Sequence, residues 1–502
     1  MIRLERVSWT YPHAEAPSLV DLDLAIQPGE CVVLCGASGS GKSTVLRAIN
    51  GLIPHFHEEG VLSGEVTVDG RDTRASTLDE LGIGIGTVLQ HPRRQFFTDS
   101  AATEVAFAME NFGFEPAEIR ARRDELLTEL SETVPIGQRL RDLSGGQQQQ
   151  VAIAAATAHG PAILLLDEPS SNLSRDAVER LAERLRALKE TGTTIVVAEH
   201  RLRYLDGVAD RFVVMSQGRI AAEWSAEELR ALPDDVLAEE GLRGAPRDST
   251  LPLASAAGRL VADTLAPVGG TSAGLQLKGV RCTLGGRRVV EVERAWLPAG
   301  TVTAFRGVNG AGKSTLARIV VGLQRASGTV KLDGVALSRS RRQRTSAIVM
   351  QDVQRQLFTE SVSEEVKLAA PRGLAADAHA GLLGALDLEE LSERHPLSLS
   401  GGQQQRLVVA TARLSERRIV VFDEPSSGVD RRHLDSIAEQ IRAVTCDGAV
   451  VILISHDEDL LLLAADQELT LLPPEPDRVA GAPREELTAS SPRARPRLRL
   501  RR

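Results

Sequence analysis

Short continuous runs of apolar residues recur along this chain, and longer stretches of helical character separate them. Six of these runs directly precede polar motifs: Cys31–Cys35, Ile163–Leu166, Thr194–Ala198, Thr301–Phe305, Ile419–Phe422 and Val450–Ile454. Runs of this length are typical of central parallel strands that are buried on both faces. Because such strands alternate with helices in both halves of the chain, the pattern predicts two α/β domains.

Other stretches predict what lies between and around these domains. Segments 91–142 and 352–398 are polar and mostly helical, as expected for a helical subdomain inserted in each half. Residues 225–273 are rich in Ala, Leu, Gly, Pro and Arg, which predicts a short helix or two and then a linker. The basic stretch Ser490–Arg502 predicts a disordered tail. The predicted boundaries are 1–225 for the first domain, 226–273 for the linker, 274–475 for the second domain and 476–502 for the tail.

A glycine-rich loop that ends in Gly-Lys-Ser-Thr occurs twice, each time after an apolar run and before a helical stretch. The first loop is Gly36–Thr44 and the second is Gly307–Thr315. Their glycines let successive backbone N–H groups point inward at phosphates, and the helix that follows adds its positive N-terminal end. Two such loops in the same context predict two phosphate-binding sites for a nucleotide. The lysines are expected to reach the β and γ phosphates, and the serines to ligate Mg²⁺.

Two adjacent carboxylates follow an apolar run downstream of each loop, as Asp167-Glu168 and Asp423-Glu424. The aspartate is expected to hold Mg²⁺, and the glutamate to polarise the attacking water. An Asp-Glu pair after a strand is weak evidence alone. Its position downstream of a phosphate-binding loop makes it strong evidence for nucleotide hydrolysis.

Corresponding motifs of the two halves lie at nearly constant separation, so the chain is an internal repeat. Lys42 and Lys313 are 271 positions apart, and Gln90 and Gln351 are 261 apart. Three further pairs are each 256 apart: Ser144 and Ser400, Asp167 and Asp423, His200 and His456. The first half carries about ten extra residues near Ile53–Gly60, between its lysine and its glutamine.

The pentapeptide Leu-Ser-Gly-Gly-Gln discriminates between the classes of nucleotide-binding protein. It begins at Leu143 and again at Leu399, and each copy starts a helix whose N-terminus suits a γ-phosphate. Together with the loops and the carboxylates, it resembles the ATP-binding cassette (ABC) superfamily over roughly residues 1–225 and 275–475.

This resemblance implies two cassettes that pair head to tail, with each ATP held between one loop and the other pentapeptide. In this chain the pairing is expected within one molecule, with Lys42 facing Ser400 and Lys313 facing Ser144. The resemblance assigns catalysis to Glu168 and Glu424, with His200 and His456 at the γ-phosphate. A lone histidine after a strand is usually structural, but the equal spacing from the two aspartates reverses that expectation.

The same resemblance predicts the residues that hold ATP and Mg²⁺. The nucleotide contacts are Tyr11, Gly36, Gly39, Gly41, Lys42, Ser43, Thr44, Gln90, Ser144, Gly145, Gly146, Gln147, Gly307, Gly310, Gly312, Lys313, Ser314, Thr315, Gln351, Ser400, Gly401, Gly402 and Gln403. The Mg²⁺ ligands are Ser43, Gln90, Asp167, Ser314, Gln351 and Asp423.

The two halves differ in residues that bear on activity. Tyr11 suits an aromatic ring that stacks on adenine, whereas the corresponding stretch Cys282–Leu284 has no aromatic residue. Conversely, Ser171–Ser174 lacks the aspartate with which Ser427–Asp430 ends. Because both glutamates and both histidines are present, we predict two hydrolysis-competent sites that work at unequal rates.

Two further segments share the pattern Gln-x4-Gln-x-Phe-Thr, at Gln90–Thr98 and Gln351–Thr359. They are similar to the energy-coupling factor (ECF) ATPases, which drive uptake of vitamins and transition-metal ions. That resemblance implies a transmembrane scaffold subunit, a separate substrate-binding membrane subunit, and a peripheral position on the cytoplasmic face of the cell membrane.

Composition bears on the alternatives, which are a soluble tandem ATPase acting on ribosomes or nucleic acid and the ATPase of a sugar importer. The net charge of −9 argues against a surface that wraps nucleic acid. The linker lacks the long charged helices of ribosome-acting relatives, and the sugar importers explain the Gln-x4-Gln-x-Phe-Thr segments less well. No apolar stretch approaches the roughly 18–20 residues of a membrane-spanning helix, so another chain would supply a pore.

Overall fold

The computed structural model describes residues 1–472 apart from 13, 15, 58, 172, 234–235, 238–240, 243–272, 309, 351–352, 371–380, 382, 385, 427–428, 430 and 447. The predicted tail, most of the predicted linker and Gln351 therefore lie outside the described residues. Ser427, Gly428 and Asp430, in the stretch predicted to differ between the halves, also lie outside them.

Two sheets form the framework of the first half. The antiparallel sheet has the order β2-β1-β4-β5 and contains β1 (Ile2–Thr10), β2 (Leu19–Ile26), β4 (Val61–Val68) and β5 (Arg71–Asp72). The second sheet has the order β10-β9-β3-β8-β7-β6 and contains β3 (Cys31–Cys35), β6 (Ile85–Val88), β7 (Ile163–Asp167), β8 (Thr194–Ala198), β9 (Arg211–Ser216) and β10 (Arg219–Ser225). All its neighbours run parallel except the edge strand β10.

Helices cover the parallel sheet and form a separate lobe in the first half. They are α1 (Lys42–Ile49), α2 (Leu52–His55), α3 (Leu78–Gly82), α4 (Ala101–Asn111), α5 (Pro116–Ser131), α6 (Gly145–Thr157), α7 (Arg175–Glu190) and α8 (Ala226–Ala231). Three short 3-10 turns span Pro92–Arg94, Leu140–Asp142 and Arg203–Leu205. Helices α4, α5 and α6 enclose their own apolar core, which is the predicted helical subdomain.

The second half repeats this architecture. Its antiparallel sheet has the order β12-β11-β14-β15, with β11 (Gly274–Leu284), β12 (Arg287–Pro298), β14 (Ser327–Leu332) and β15 (Val335–Ala336). Its parallel sheet has the order β16-β17-β18-β13-β19, with β13 (Thr301–Arg306), β16 (Ser346–Val349), β17 (Ile419–Asp423), β18 (Val450–Ile454) and β19 (Gln467–Thr470). Its helices are α9 (Lys313–Val320), α10 (Arg339–Thr345), α11 (Val362–Ala369), α12 (Gly401–Leu414), α13 (Arg431–Cys446) and α14 (Glu458–Ala464), with 3-10 turns at Val353–Gln356, Glu389–Leu391 and Pro396–Ser398.

Apolar side chains fill both faces of the parallel sheets, which explains the continuous apolar runs of the sequence. In β3, Val32 and Leu34 pack towards the antiparallel sheet, whereas Cys31, Val33 and Cys35 pack towards α6 and α7. Each of the six apolar runs forms a strand to within one residue. The predicted fold class, two α/β domains that each carry a helical subdomain, is confirmed.

The chain stays attached to the first half for some distance after β10. Leu229 in α8, Leu237 and Leu242 are buried in the same core cluster as Cys35. Gly241 lies against Ala37 of the first loop, where an added Cβ would sit 3.0 Å from the Ala37 Cβ. The domain boundary near residue 225 stays a prediction. Among the described residues, no helix combines the length and the apolarity that crossing a membrane would require.

Candidate functional site

Each glycine-rich loop joins the end of a buried central strand to the start of a helix, β3 to α1 and β13 to α9. Gly36 has φ of 133°, and an added Cβ would lie 2.1 Å from the Met215 carbonyl oxygen of the next strand. Gly307 repeats this, with φ of 135° and 2.1 Å to the Leu471 carbonyl oxygen. Only glycine fits at these positions. The loops are therefore held tightly against the sheet at these glycines, whereas a Cβ added at Gly39 or Gly310 would meet no atom within 4 Å.

The lysine of each loop folds over the loop that precedes it. Lys42 Nζ donates to the carbonyl oxygens of Gly36 and Ala37, each at 2.9 Å. Lys313 Nζ donates to Gly307 O at 2.6 Å and to Val308 O at 3.3 Å. Burial lowers the pKa of Lys313, while Glu424 and Asp423 oppose that shift. Both ammonium groups thus lie inside the cradle that the sequence predicts for phosphates.

The hydroxyl and carboxylate predicted to hold Mg²⁺ lie side by side in both halves. Ser43 Oγ donates to Asp167 Oδ1 at 2.8 Å, and Ser314 Oγ donates to Asp423 Oδ1 at 3.2 Å. Burial, together with the adjacent Glu168, raises the pKa of Asp167 to about 6. Burial also raises the pKa of Asp423, which the Ser314 hydrogen bond opposes.

These oxygens fit a hard cation that takes its other ligands from water and phosphate. A protein cage for a metal is not required, and none forms: the described residues contain no group of three or more His, Cys, Asp or Glu that could hold an ion.

Three polar side chains converge on Glu168 at the end of β7. Its Oε1 lies 3.0 Å from His200 Nε2, and its Oε2 accepts from Gln90 Nε2 at 2.7 Å and from Ser171 Oγ at 3.1 Å. Burial alone would raise the pKa of Glu168, but the charge and the hydrogen bond of His200, with help from Lys42 and Ser171, lower it to about 2. The carboxylate is thus held ionised and oriented.

The corresponding pair in the second half is looser. His456 Nε2 lies 3.8 Å from Glu424 Oε1, and the His456 backbone N–H donates to Glu424 Oε2 at 3.3 Å. Burial and the neighbouring Asp423 raise the pKa of Glu424 to about 8. Burial also lowers the pKa of His456 to about 4. Burial therefore favours the protonated form of Glu424, whereas His200 favours the ionised form of Glu168. Gln351 and Ser427, the counterparts of Gln90 and Ser171, lie outside the described residues.

Each pentapeptide begins a helix through a capping box, in which the serine and the glutamine three residues later bond to each other's backbone N–H. Ser144 Oγ accepts from Gln147 N at 3.4 Å, while Gln147 Oε1 accepts from Ser144 N at 3.0 Å. Ser400 and Gln403 form the same pair at 3.4 and 2.9 Å. The first glycine of each pentapeptide, Gly145 and Gly401, is exposed, so these helix N-termini are open to a ligand. The head-to-tail pairing of each pentapeptide with the opposite loop stays a prediction.

Neighbouring side chains hold Tyr11, the aromatic residue predicted to stack on adenine, in place. Tyr11 OH accepts from Arg47 Nη1 at 3.0 Å and lies 3.4 Å from Thr44 Oγ1. The Tyr11 ring makes edge contacts with Trp9 and His57, at centroid distances of 5.6 and 5.1 Å. In the second half no aromatic ring occupies the corresponding strand, and Cys282 is buried.

A buried carboxylate that the sequence motifs do not reveal, Glu199, positions His200. Glu199 is only 2% exposed and accepts four hydrogen bonds, from Ser170 N, Tyr204 OH, His200 N and Arg201 N, at 3.3, 2.9, 2.8 and 3.1 Å. The second half has Ser455 at this position, whose Oγ accepts from Asp457 N at 3.0 Å. Asp457 in turn caps α14 by accepting from Leu460 N at 3.4 Å. An acidic residue at the end of an otherwise apolar strand is the signal that could have identified Glu199.

The similarity of this chain to known proteins covers the residues described above. The family model for the ABC transporter matches residues 19–171 and 294–427, which include both loops, both carboxylate pairs and both pentapeptides. The chain belongs to the ABC transporter family. Because members of this family hydrolyse ATP, the chain is an ATPase.

The similarity to ABC transporter relatives extends over both halves. A protein of Treponema denticola, named as an ABC transporter ATP-binding protein, is 38% identical over 462 residues, covering 92% of this chain and 93% of its own. A protein of Methanosarcina acetivorans with the same name is 31% identical over 505 residues, covering 91% and 82%. Among solved structures, the archaeal ribosome recycling factor aABCE1, in complex with the ribosomal stalk protein aP1, matches with a TM-score of 0.58 over 93% of this chain and 87% of that one. At 22% identity this neighbour shows the fold alone.

The two ABC domains also contact each other through charged and polar side chains. Arg94 Nη2 of the first domain donates to Gln354 Oε1 of the second at 2.7 Å. Arg201, directly after His200, is close enough to the second site for its charge to lower the pKa of Glu424 and that of His456. The first domain therefore influences the electrostatics of the residues predicted to be catalytic in the second domain.

Proposed function

We propose that this chain is the ATP-hydrolysing subunit of an ECF-type membrane importer, with both ATPase domains of the complex in one polypeptide. The observation that carries this proposal is a pair of exposed phenylalanines, Phe97 and Phe358, in the two Gln-x4-Gln-x-Phe-Thr segments. They are 76% and 78% exposed, whereas the segments around them are held by hydrogen bonds to two buried glutamates, Glu104 and Glu365. Exposed apolar side chains on a rigid support are typical of a docking surface for another protein.

A buried glutamate fixes each phenylalanine in the same way. Glu104 Oε2 accepts from Phe97 N, Thr98 N and Thr98 Oγ1, at 3.2, 2.9 and 2.8 Å. Glu365 Oε2 accepts from Phe358 N, Thr359 N and Thr359 Oγ1, at 3.0, 3.1 and 2.8 Å. The second glutamine of each segment, Gln95 or Gln356, accepts from a backbone N–H before the turn, at 2.8 or 2.7 Å. The motif thus builds one turn twice, and both copies present an aromatic ring to the outside.

Within this proposal a transmembrane scaffold docks on the two phenylalanines, and a separate membrane subunit binds the transported substrate. The substrate is proposed to be a vitamin or a transition-metal ion, by similarity to ECF ATPases. The chain would lie on the cytoplasmic face of the cell membrane, with its two domains paired within the molecule.

The site residues have distinct proposed tasks in hydrolysis. Lys42 and the backbone of its loop bind the phosphates, and the pentapeptide at Ser400 closes the site from the other domain. Ser43, Asp167 and Gln90 would hold Mg²⁺, whose charge offsets that of the phosphates. Glu168 orients the attacking water and accepts its proton, while His200 holds Glu168 and contacts the γ-phosphate.

The second site uses equivalent residues. Lys313 and its loop bind the phosphates, and Ser144 closes the site. Ser314, Asp423 and Gln351 would hold Mg²⁺, and Glu424 and His456 act on the water and the γ-phosphate.

The test is recovery of a membrane partner with the full chain. A tagged chain would be expressed in its source organism and purified from detergent-solubilised membranes, and integral membrane proteins in the eluate identified by mass spectrometry. We expect one scaffold-sized membrane protein in stoichiometric amount, and roughly tenfold lower recovery for Phe97→Ser with Phe358→Ser because the docking surface is lost. When the double variant is purified without detergent and without a membrane partner, its rate of ATP hydrolysis should stay near that of the wild type.

Phe56→Ser is the matched control, because Phe56 is 71% exposed but lies outside both segments. Equal loss of the partner in this control would contradict the proposed docking surface. Sedimentation of the wild-type chain with ribosomes, without a membrane partner, would favour the ribosome-acting alternative. Uptake assays with vitamins and transition-metal ions would then identify the substrate of a recovered complex.

A further inference from the structure

A side-chain hydrogen bond between the two domains lies at the segments that present the exposed phenylalanines. Arg94 belongs to the turn Pro92–Arg94, and Gln354 to the turn Val353–Gln356. Their hydrogen bond, Arg94 Nη2 to Gln354 Oε1 at 2.7 Å, has a charged donor and is therefore stronger than a neutral one. The two turns thus touch each other as well as offering a surface to a partner.

Each turn is also tied to the pentapeptide helix of its own domain. Arg93 Nε donates to Gln148 Oε1 in α6 at 2.9 Å. Gln354 Nε2 donates to Gln404 Oε1 in α12 at 3.2 Å. Arg93 and Gln354 occupy corresponding positions in the repeat, and so do Gln148 and Gln404. The same link is therefore made twice with different donor side chains.

The two glutamines of the helices are fixed from their other end. Gln148 is buried and its Nε2 donates to Leu140 O at 2.8 Å and to Leu143 O at 3.1 Å. Gln404 is buried and its Nε2 donates to Pro396 O at 3.2 Å. These bonds set which amide atom faces the turn, so a rotation of either helix must move its turn or break a buried hydrogen bond.

A continuous polar path thus runs from one pentapeptide helix to the other. Its members, in order, are Gln148, Arg93, Arg94, Gln354 and Gln404. If the domains pair head to tail, α6 closes the second ATP site and α12 closes the first. If one helix moved, this path would then transmit the movement to the ATP site that the other helix closes.

We propose that Arg94 and Gln354 are positioning residues that join the two pentapeptide helices, so that the two ATP sites close together and hydrolyse cooperatively. This inference rests on the proposed ATP sites and needs no membrane partner. The contact between the turns makes the two docking segments one surface, so a single partner movement would reach both sites.

The experiment measures ATP hydrolysis by the purified full-length chain as a function of ATP concentration. For the wild type we expect a Hill coefficient above about 1.5, and for Arg94→Ala or Gln354→Ala a fall to about 1. The double variant should match either single variant, because both remove the same bond. Arg94→Lys, which keeps a charged donor, should restore part of the cooperativity.

Arg120→Ala is the matched control, since Arg120 is an exposed arginine of the helical subdomain on α5. A second measurement guards against misfolding. In the Glu424→Gln background, hydrolysis at the remaining site should be suppressed while the Arg94–Gln354 hydrogen bond is present. Adding Arg94→Ala should raise that hydrolysis severalfold. An unfolded variant would not give such an increase.

These experiments distinguish failure of the proposed coupling from failure of the proposed ATP sites. A wild-type coefficient of 1, an unchanged coefficient in Arg94→Ala, or an equal effect of Arg120→Ala would overturn the proposed coupling and leave the proposed function standing. A folded chain that hydrolyses no ATP would instead overturn the proposed sites themselves.

Discussion

At the scale of single residues, the two sites differ more in how the glutamate predicted to be catalytic is held than in which residues are present. Glu168 has three side-chain partners, and its pKa is lowered to about 2 by His200 against the effect of burial. Glu424 is 3.8 Å from its histidine, and burial raises its pKa to about 8. The sequence predicts inequality through Tyr11 and the loops after the carboxylates. It does not reveal the different glutamate environments, because they depend on the tertiary placement of each histidine, 3.0 Å from Glu168 in one domain and 3.8 Å from Glu424 in the other.

We therefore expect Glu168→Gln to lower ATP turnover more than Glu424→Gln, by about threefold or more, because the first site holds its base ionised and oriented. Steady-state phosphate release by the two purified variants measures this difference. Comparable turnover in the two variants would remove the claim of unequal sites.

Glu199 gives a second prediction at this scale. Glu199→Ala leaves three backbone N–H groups and the Tyr204 hydroxyl without their acceptor, so we expect a loss of about 2–4 kcal/mol in the free energy of unfolding and a misplaced His200. Urea denaturation measures the stability, and hydrolysis in the Glu424→Gln background measures the first site. Ser455→Ala, at the corresponding position of the second domain, is the control and should cost less than about 1 kcal/mol. Equal losses in both variants would argue against the special role of Glu199.

At the scale of elements, the apolar runs predict the central strands to within one residue because strands buried on both faces leave no room for polar side chains. The turns of the Gln-x4-Gln-x-Phe-Thr segments are visible in the sequence only as a motif. Their rigidity comes from Glu104 and Glu365, which lie in the helices that follow. The bridge between the domains joins positions 94 and 354, and no local pattern signals a contact over that separation.

Glu104→Ala tests the turn as a unit. Its removal leaves two partly buried backbone N–H groups without their acceptor, so we expect the unfolding free energy to fall by about 1–3 kcal/mol and Phe97 to lose its fixed position. Recovery of the membrane partner should drop, while hydrolysis by the free chain changes little. Glu118→Ala, at an exposed position of α5, is the control for loss of a carboxylate. Full partner recovery with Glu104→Ala would show that the rigid turn is not needed for docking.

At the scale of the whole molecule, the two halves have the same arrangement of strands but different side chains around the two predicted ATP sites. Five strands of each parallel sheet follow the same order, and the first sheet adds the edge strand β10. The domains differ in the residue predicted to contact adenine, in the support of the histidine and in the glutamate environment. The predicted pairing within one chain would allow such differences, because each domain would meet the other and not a copy of itself. The family and the fold followed from the sequence motifs. The substrate did not, because no residue of the ATPase domains need contact it.

The most direct test of the central account, one intramolecular pair of ATP sites, is the number of ATP molecules held per monomer. In a Glu168→Gln, Glu424→Gln chain confirmed as monomeric by light scattering, equilibrium dialysis should find two. Lys42→Ala should leave one bound ATP per monomer. Lys42→Ala with Ser400→Arg should still leave one, because both substitutions alter the same site. Lys42→Ala with Ser144→Arg should leave none. The reverse pattern, none with Ser400→Arg and one with Ser144→Arg, would contradict the head-to-tail pairing.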